Sequence, residues 1–131
     1  MNLNQVTVSV KNIEKSIAFY ETLGLILIVK SPHYARFECP EGDATFSISL
    51  QENEYENYGT TIYFELDNLD KKVEELLKKG VHFIQLPMDK SYLWREANLK
   101  DLDNNIIKLF YAGDNRKNPP WRVKNNAIKK E

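Results

Sequence analysis

Two stretches decide the fold of this chain: QVTVSVKNIEKSIAFYETLGL at residues 5–25 and TIYFELDNLDKKVEELLKKGV at residues 61–81. They align without a gap, so that Gly24 of the first falls on Gly80 of the second. Each begins with alternating apolar and polar residues, the two-residue period of a strand with one packed face and one more polar face. Each continues with apolar residues at helical spacing. One unit, a strand followed by a helix, is therefore predicted to occur twice.

The ends of both helices are marked by side chains suited to capping. Asn12 in the first copy, and Asp67 or Asn68 in the second, can accept hydrogen bonds from the free N–H groups at a helix start. Gly24 and Gly80 lie where a left-handed C-terminal cap is needed, a conformation that glycine adopts without strain. These signals predict helices of about the same length at equivalent positions.

Three strand-like runs follow each helix, separated by turn residues such as PEGD and DLDNN. They are residues 25–29, 34–39 and 45–50 in the first half, and about 82–86, 95–100 and 106–110 in the second. The pattern predicts an α+β fold: two βαβββ repeats that form a concave, cup-shaped mixed sheet with the helices on its outer face.

A single domain is expected to hold both repeats. At 131 residues the chain has the size of one domain. We place the domain at residues 1–112, with repeat one at about 3–51 and repeat two at about 60–112. Residues 113–131 form a C-terminal tail beyond the repeats, in which Trp121 could dock on the body of the protein.

The composition is that of an ordinary globular protein, with 42% hydrophobic and 28% charged residues. A formal net charge of −1 gives no electrostatic reason to expect nucleic acid or an anionic membrane as a partner. No apolar run has the length of a signal peptide or a membrane span. The lone Cys39, which we interpret as a buried or half-buried thiol, fits a reducing compartment. We therefore expect a cytoplasmic protein.

Strand alternation predicts which side chains line the concave face of the sheet. Aromatic and polar residues share this face, a mixture that suits a small-molecule site, although a solvated face would show the same alternation. The SYLW loop brings Trp94 to its rim. The predicted inward residues are Gln5, Thr7, Ser9, Ser47, Ser49, Thr61, Tyr63, Glu65, Ile106, Lys108 and Phe110.

Three phrases of the sequence resemble one known superfamily in the right order. They are VSVKNIEKSIAFYETLGL at 8–25, FELDNLDKKVEELLKKG at 64–80 and REANLKDLDNNIIKLF at 95–110. They look like the vicinal oxygen chelate superfamily, which contains glyoxalase I, extradiol dioxygenases, and fosfomycin and bleomycin resistance proteins. The resemblance covers nearly all of residues 3–112. It implies the two-repeat cup fold, usually in a homodimer.

Metal-dependent members of that superfamily place ligands at four inward positions. Carried over, these positions fall on Gln5, on Ser47 or Ser49, on Thr61 and on Lys108. A divalent catalytic ion needs about three protein ligands with free lone pairs, normally imidazole or carboxylate. Hydroxyl groups are poor neutral donors and a protonated lysine has no lone pair. The sequence therefore predicts no metal and no other cofactor.

The remaining metal-ligand types do not change this prediction. His33 lies in a loop and His82 follows the second helix, so neither falls on a ligand position. A relocated site built from Glu65, Glu38 and a histidine is an alternative that nothing in the spacing calls for.

The leading hypothesis is a metal-free relative that binds a small organic ligand in its cup, as resistance proteins that sequester antibiotics do. Flat rings around a concave site suit planar ligands. Lys108 would donate to an anionic or carbonyl-bearing ligand, or to a neighbouring carboxylate. The expected ligand-binding residues are Gln5, Ser47, Ser49, Thr61, Tyr63, Trp94, Lys108 and Phe110.

Two alternatives belong to other classes. One is a metal-dependent lyase, isomerase or dioxygenase of the same superfamily with an atypical metal site, or with Lys108 as a general base or Schiff-base former. The other is an interaction protein whose cup is filled by its own side chains. No phosphate loop, nucleophile elbow or catalytic triad is recognisable, so no catalytic residue is assigned.

Overall fold

The computed structural model of the protein describes residues 2–52 and 60–123. Its first repeat follows the predicted order of one strand, one helix and three strands. Asn12 caps the helix, because its Oδ1 accepts a hydrogen bond from Lys15 N at 2.8 Å, and Gly24 ends the helix at φ +111°. The elements are β1 (Gln5–Val10), α1 (Ile13–Leu23), β2 (Ile26–Ser31), β3 (Tyr34–Glu38) and β4 (Thr45–Leu50).

The second repeat has the same order of elements with two departures from prediction. Asn68 precedes the helix but its side chain makes no capping hydrogen bond. The strand predicted at about 82–86 begins later, because Val81 and Phe83 pack against the core from a connection outside the sheet. The elements are β5 (Thr61–Glu65), α2 (Leu69–Lys78), β6 (Gln85–Asp89), β7 (Arg95–Lys100) and β8 (Ile106–Tyr111).

The strands form two four-stranded mixed sheets with equivalent topologies, ordered β1-β4-β3-β2 and β5-β8-β7-β6. In each sheet the first strand of the repeat pairs parallel with the last, and the other two pairs are antiparallel. The predicted fold class, α+β with two βαβββ repeats, is confirmed. No helix within the described residues has the length and hydrophobicity needed to cross a membrane.

One hydrophobic core unites the two repeats on the helix-facing sides of the sheets. Phe46 of the first sheet meets Phe64 of the second, with ring centroids 5.9 Å apart. Burying such rings removes apolar area from water, worth about 25 cal/mol per Å². The sheet surfaces directed away from the core are left for other contacts. We call them the first face and the second face, after the repeats that carry them.

A buried polar junction also joins the repeats. The Tyr20 hydroxyl, on the first helix, donates to Asp101 Oδ2 in the second repeat at 2.6 Å. Asn105 Nδ2 donates both to Asp101 Oδ2 at 2.7 Å and to the Ser9 carbonyl oxygen at 3.1 Å. Buried polar groups remain in a core when they have partners of this kind. The junction therefore fixes how one repeat sits against the other.

Candidate ligand-binding site

The strand registers settle which predicted positions are equivalent in the two sheets. Thr7 lies opposite Ser47 in the first sheet, and Tyr63 lies opposite Lys108 in the second. Thr7 and Tyr63 occupy the same position of the repeat. Ser47, rather than Ser49, is therefore the counterpart of Lys108, which resolves the ambiguity between the two serines.

On the first face a chain of side-chain hydrogen bonds surrounds Ser47, which is fully buried. Its Oγ accepts from Tyr34 Oη at 3.0 Å and from Thr7 Oγ1 at 3.3 Å. Arg36 Nε donates to the Tyr34 hydroxyl at 2.8 Å. The polar groups of this face thus bond with one another.

The edge of the first face carries Gln5, whose side chain is exposed. Its Oε1 accepts from Thr45 Oγ1 at 2.7 Å. Ser49 is half-buried and lies opposite Tyr34 in the antiparallel pair. These residues belong to the hydroxyl-rich surface of the first sheet.

On the second face Lys108 forms an ion pair with Glu96. The two atoms Lys108 Nζ and Glu96 Oε2 are 2.9 Å apart, and the Glu96 side chain is 1% exposed. The Tyr92 hydroxyl donates to Glu96 Oε1, so both carboxylate oxygens have a partner. Of the partners predicted for Lys108, the neighbouring carboxylate is the one found.

The ion pair sets the charge state of its members. Burial opposes ionisation of Glu96, but hydrogen bonds from Tyr92 and Lys108 and the ammonium charge outweigh it, so the pKa of Glu96 lies below its ordinary value. The hydrogen bond to Glu96 raises the pKa of Lys108 against the opposing effect of burial. Burial and donation to Glu96 raise the pKa of Tyr92 to about 12. Lys108 is therefore a protonated ammonium at neutral pH, whereas a Schiff-base former needs a lowered pKa.

Aromatic rings cover the ion pair. Trp94 stacks on Phe110 with ring centroids 4.6 Å apart at 17°. Tyr63 meets both rings edge-on at 89°, with its centroid 6.0 Å from Trp94 and 5.7 Å from Phe110. Lys108 Nζ lies 5.7 Å from the centroid of Tyr63, within cation–π range. Four of the predicted site residues, Tyr63, Trp94, Lys108 and Phe110, are brought together here.

A cavity of about 320 Å³ opens beside this cluster. Four of its eight lining residues are aromatic, and a cup filled by its own side chains would leave no such space. Part of its wall comes from residues beyond the second repeat, in the segment predicted to be a C-terminal tail. The lining residues are Tyr63, Tyr92, Trp94, Glu96, Asn115, Arg116, Pro119 and Trp121.

Glu65 holds the start of the tail against the second sheet. Its Oε2 accepts hydrogen bonds from the backbone N–H groups of Ala112 and Gly113, both at 2.9 Å. Its Oε1 lies 3.3 Å from Arg116 Nε, in the short 3-10 helix Gly113–Arg116. The carboxylate predicted to face the cup is thus committed to positioning the tail.

A second cavity, of about 400 Å³, lies where the two repeats meet. Leu23, Leu25 and Cys39 line it from the first repeat, and Phe64 and Leu109 from the second. Cys39 is half-buried, and burial raises the pKa of its thiol. Apart from Tyr63, this cavity contains none of the predicted ligand-binding residues. Tyr63 and Trp94, two of the predicted ligand-binding residues, line the smaller cavity on the second face.

The sequence profile of the Glyoxalase/Bleomycin resistance protein/Dioxygenase superfamily matches residues 2–109. This chain belongs to that superfamily. The profile covers both repeats and ends just before the tail. No curated protein matches the sequence.

Solved structures from the superfamily share the fold. A family enzyme from Burkholderia phytofirmans PsJN is 21% identical with a TM-score of 0.73, covering 86% of this chain and 99% of that one. A Nocardioides relative is 19% identical with a TM-score of 0.75, covering 95% and 90%. A superfamily member from Sphaerobacter thermophilus DSM 20745 is 21% identical with a TM-score of 0.71, covering 85% and 97%. At these identities the likeness concerns the fold alone.

The donor atoms at the superfamily's metal positions do not fit a divalent ion. The four residues offer an amide at Gln5, hydroxyls at Ser47 and Thr61, and an ammonium at Lys108. The ammonium repels a cation, and the Ser47 oxygen already accepts two hydrogen bonds. Within residues 2–52 and 60–123, no three His, Cys, Asp or Glu side chains are grouped so as to hold a metal.

Sequence reasoning missed Glu96 and Arg116, which shape the second face, and for Trp121 it proposed only that the indole docks on the body of the protein. Glu96 lies opposite Phe110 in the β7–β8 pair, so strand alternation could have placed it there. Its burial could not be read from the sequence, because an isolated charge is expected at the surface. Arg116 and Trp121 carry no periodic signal, and their place in the cavity depends on the path of the tail.

Proposed function

We propose that the protein is a metal-free binding member of the superfamily that holds a small, flat organic ligand on the second face. The observation that carries this proposal is the aromatic cluster of Tyr63, Trp94 and Phe110 at a cavity of about 320 Å³. Ring faces of this kind bury large flat areas, and ligand sites are mostly apolar with a few fixed polar groups.

The charged groups of the second face support binding rather than turnover. Glu96 and Lys108 neutralise each other at 2.9 Å, and their pKa values move away from neutrality in opposite directions. A general acid or base works best when its pKa lies near the operating pH. The pair thus supplies fixed donors and acceptors. The lone Cys39 accords with a cytoplasmic protein.

Thermal-shift and calorimetric screening of flat organic molecules tests the proposal. We expect ligands that stabilise the protein equally with and without chelator, and that lose at least tenfold in affinity in Trp94→Ala. Tyr34→Phe on the first face is the matched control and should bind normally. Binding that requires an added divalent ion, or stoichiometric metal in the purified protein, would contradict the proposal and favour a metal-dependent enzyme.

We also propose that the protein forms a homodimer. Exposed apolar side chains run along the outermost strands, with Ile26, Ile28 and Val29 on β2 and Leu86 and Met88 on β6. Apolar strips on edge strands favour association with another chain. Light scattering should give twice the monomer mass, and Ile28→Lys should reduce it to the monomer. A wild-type monomer at micromolar concentration would exclude this assembly.

A further inference from the structure

The cavity on the second face is walled by four aromatic side chains from separate parts of the chain. Tyr63 comes from β5, Tyr92 and Trp94 from the segment before β7, and Trp121 from the tail. Trp94 stands nearly perpendicular to Tyr63, at 89°, and to Tyr92, at 80°. Perpendicular rings present walls in different directions, unlike a single stack. We call these four residues the aromatic box.

The electrostatics of the aromatic box favour positive charge. Glu96 lines it as a carboxylate, but the Lys108 ammonium, 2.9 Å away, neutralises its charge, so the ring faces set the preference. The faces of aromatic rings carry a negative quadrupole and attract cations. The lining also contains Arg116, but the carboxylate of Glu65, 3.3 Å from its Nε, offsets that charge.

The cluster already holds one cation of its own. The Lys108 ammonium lies 5.7 Å from the Tyr63 centroid while paired with Glu96. An anion and a ring face therefore act together on a positive group in this part of the sheet. Trp94 and Trp121 extend the same environment outward from the sheet.

We propose that the aromatic box binds a flat organic cation, such as an N-alkylated nitrogen heteroaromatic, with Trp121 of the tail as its outer wall. This inference rests on the proposed function and names the class of ligand. The ligand ring lies against the indole and phenol faces, whose negative quadrupoles attract its positive charge. A neutral ring of the same shape gains the apolar contact alone, and an anion is repelled by the ring faces.

A series of bicyclic ligands matched in shape tests the charge preference: 1-methylquinolinium, neutral quinoline and 1-naphthoate. The chain has two tryptophans, Trp94 and Trp121, and both line the aromatic box, so intrinsic fluorescence reports binding directly. We expect saturable quenching by 1-methylquinolinium at a Kd at least tenfold below that of quinoline, with 1-naphthoate weakest. High salt should reduce the difference in Kd between 1-methylquinolinium and quinoline.

Two variants locate the site. Trp121→Leu should weaken 1-methylquinolinium several-fold without affecting thermal stability, because this side chain is 57% exposed. Leu93→Ala, at an exposed neighbour outside the lining, is the matched control and should bind as the wild type does.

The outcomes separate this inference from the proposed function. Equal or tighter binding of quinoline or 1-naphthoate, or unchanged cation binding in Trp121→Leu, would overturn the cation site and leave a binding protein. The same holds if the series fails but the wider screen finds metal-independent ligands that require Trp94. If no organic ligand binds in either experiment, both proposals are wrong.

Discussion

Thr7 and Ser47 of the first sheet stand where Tyr63 and Lys108 stand in the second. The backbone arrangement is the same in both places, a parallel pair formed by the first and last strands of a βαβββ unit. On the first face the side chains are short hydroxyls that bond with one another around Ser47. On the second they are a charged group and a large ring. The repeat has preserved a fold while two different surfaces developed on it.

The difference between the two faces shows which of them can contribute more binding free energy to a ligand. A face whose hydroxyls are already paired offers little to a ligand, because each new hydrogen bond must replace an existing one. The second face instead presents ring surfaces beside a buried carboxylate and a cavity. Stacking and cation–π contacts leave the hydrogen bonds of Glu96 intact.

The largest effect that separates the two faces should come from Lys108→Met. It leaves the Glu96 carboxylate buried without its charged partner, and we expect a loss of about 3 kcal/mol in the free energy of unfolding. Urea denaturation measures it. Lys100→Met, at an exposed lysine on β7, is the matched control and should change stability by less than about 0.5 kcal/mol.

The double variant Lys108→Met with Glu96→Leu should recover much of that loss, because it leaves no unpaired charge behind. A single Lys108→Met variant as stable as the wild type would show that the two faces do not differ in this way.

Acid should distinguish the faces next. The pKa of Glu96 is lowered in the folded state, so its contribution to stability is fully present above the ordinary value of 4.5 and is lost as pH falls through the lower folded value. The free energy of unfolding of the wild type minus that of the double variant should therefore fall below about pH 4. Unfolding curves between about pH 7 and about pH 3 test this. A rise of this signed difference in acid would contradict the prediction.

The smallest effect belongs to the first face. Ser47→Ala removes the acceptor of Thr7 and Tyr34 and should cost about 1 kcal/mol, without the pH dependence expected for the second face. Ser49→Ala, at the half-buried neighbour, should cost less than about 0.5 kcal/mol. If the two serine variants were equally stable, the hydrogen bonds around Ser47 would make no net contribution to the free energy of unfolding.

The repeat could be predicted because its signals are local. Asn12 and Gly24 mark helix ends in any context, and the alternation of residues 106–110 fixes which side Lys108 faces. The strand near 82–86 was misplaced because apolar Phe83 looked like a strand residue. Phe83 packs on the core without joining the sheet, a result of tertiary packing that periodicity does not predict.

The candidate site was predicted in part. Strand alternation brought Tyr63, Lys108 and Phe110 to one face, and the structure places them in contact with Trp94 or with one another. Gln5, Ser47 and Ser49 lie on the other sheet. Which sheet carries the cavity depends on how the chain folds back after Tyr111, which the sequence does not encode locally.

The buried junction of Tyr20, Asp101 and Asn105 has a consequence for cooperativity. Its hydrogen bonds cross from the first repeat to the second, and Asn105 reaches the backbone of Ser9. Neither repeat can open without leaving polar groups of the other buried and unpaired. The two repeats therefore do not have independent stabilities, and both should unfold together in a single thermal transition.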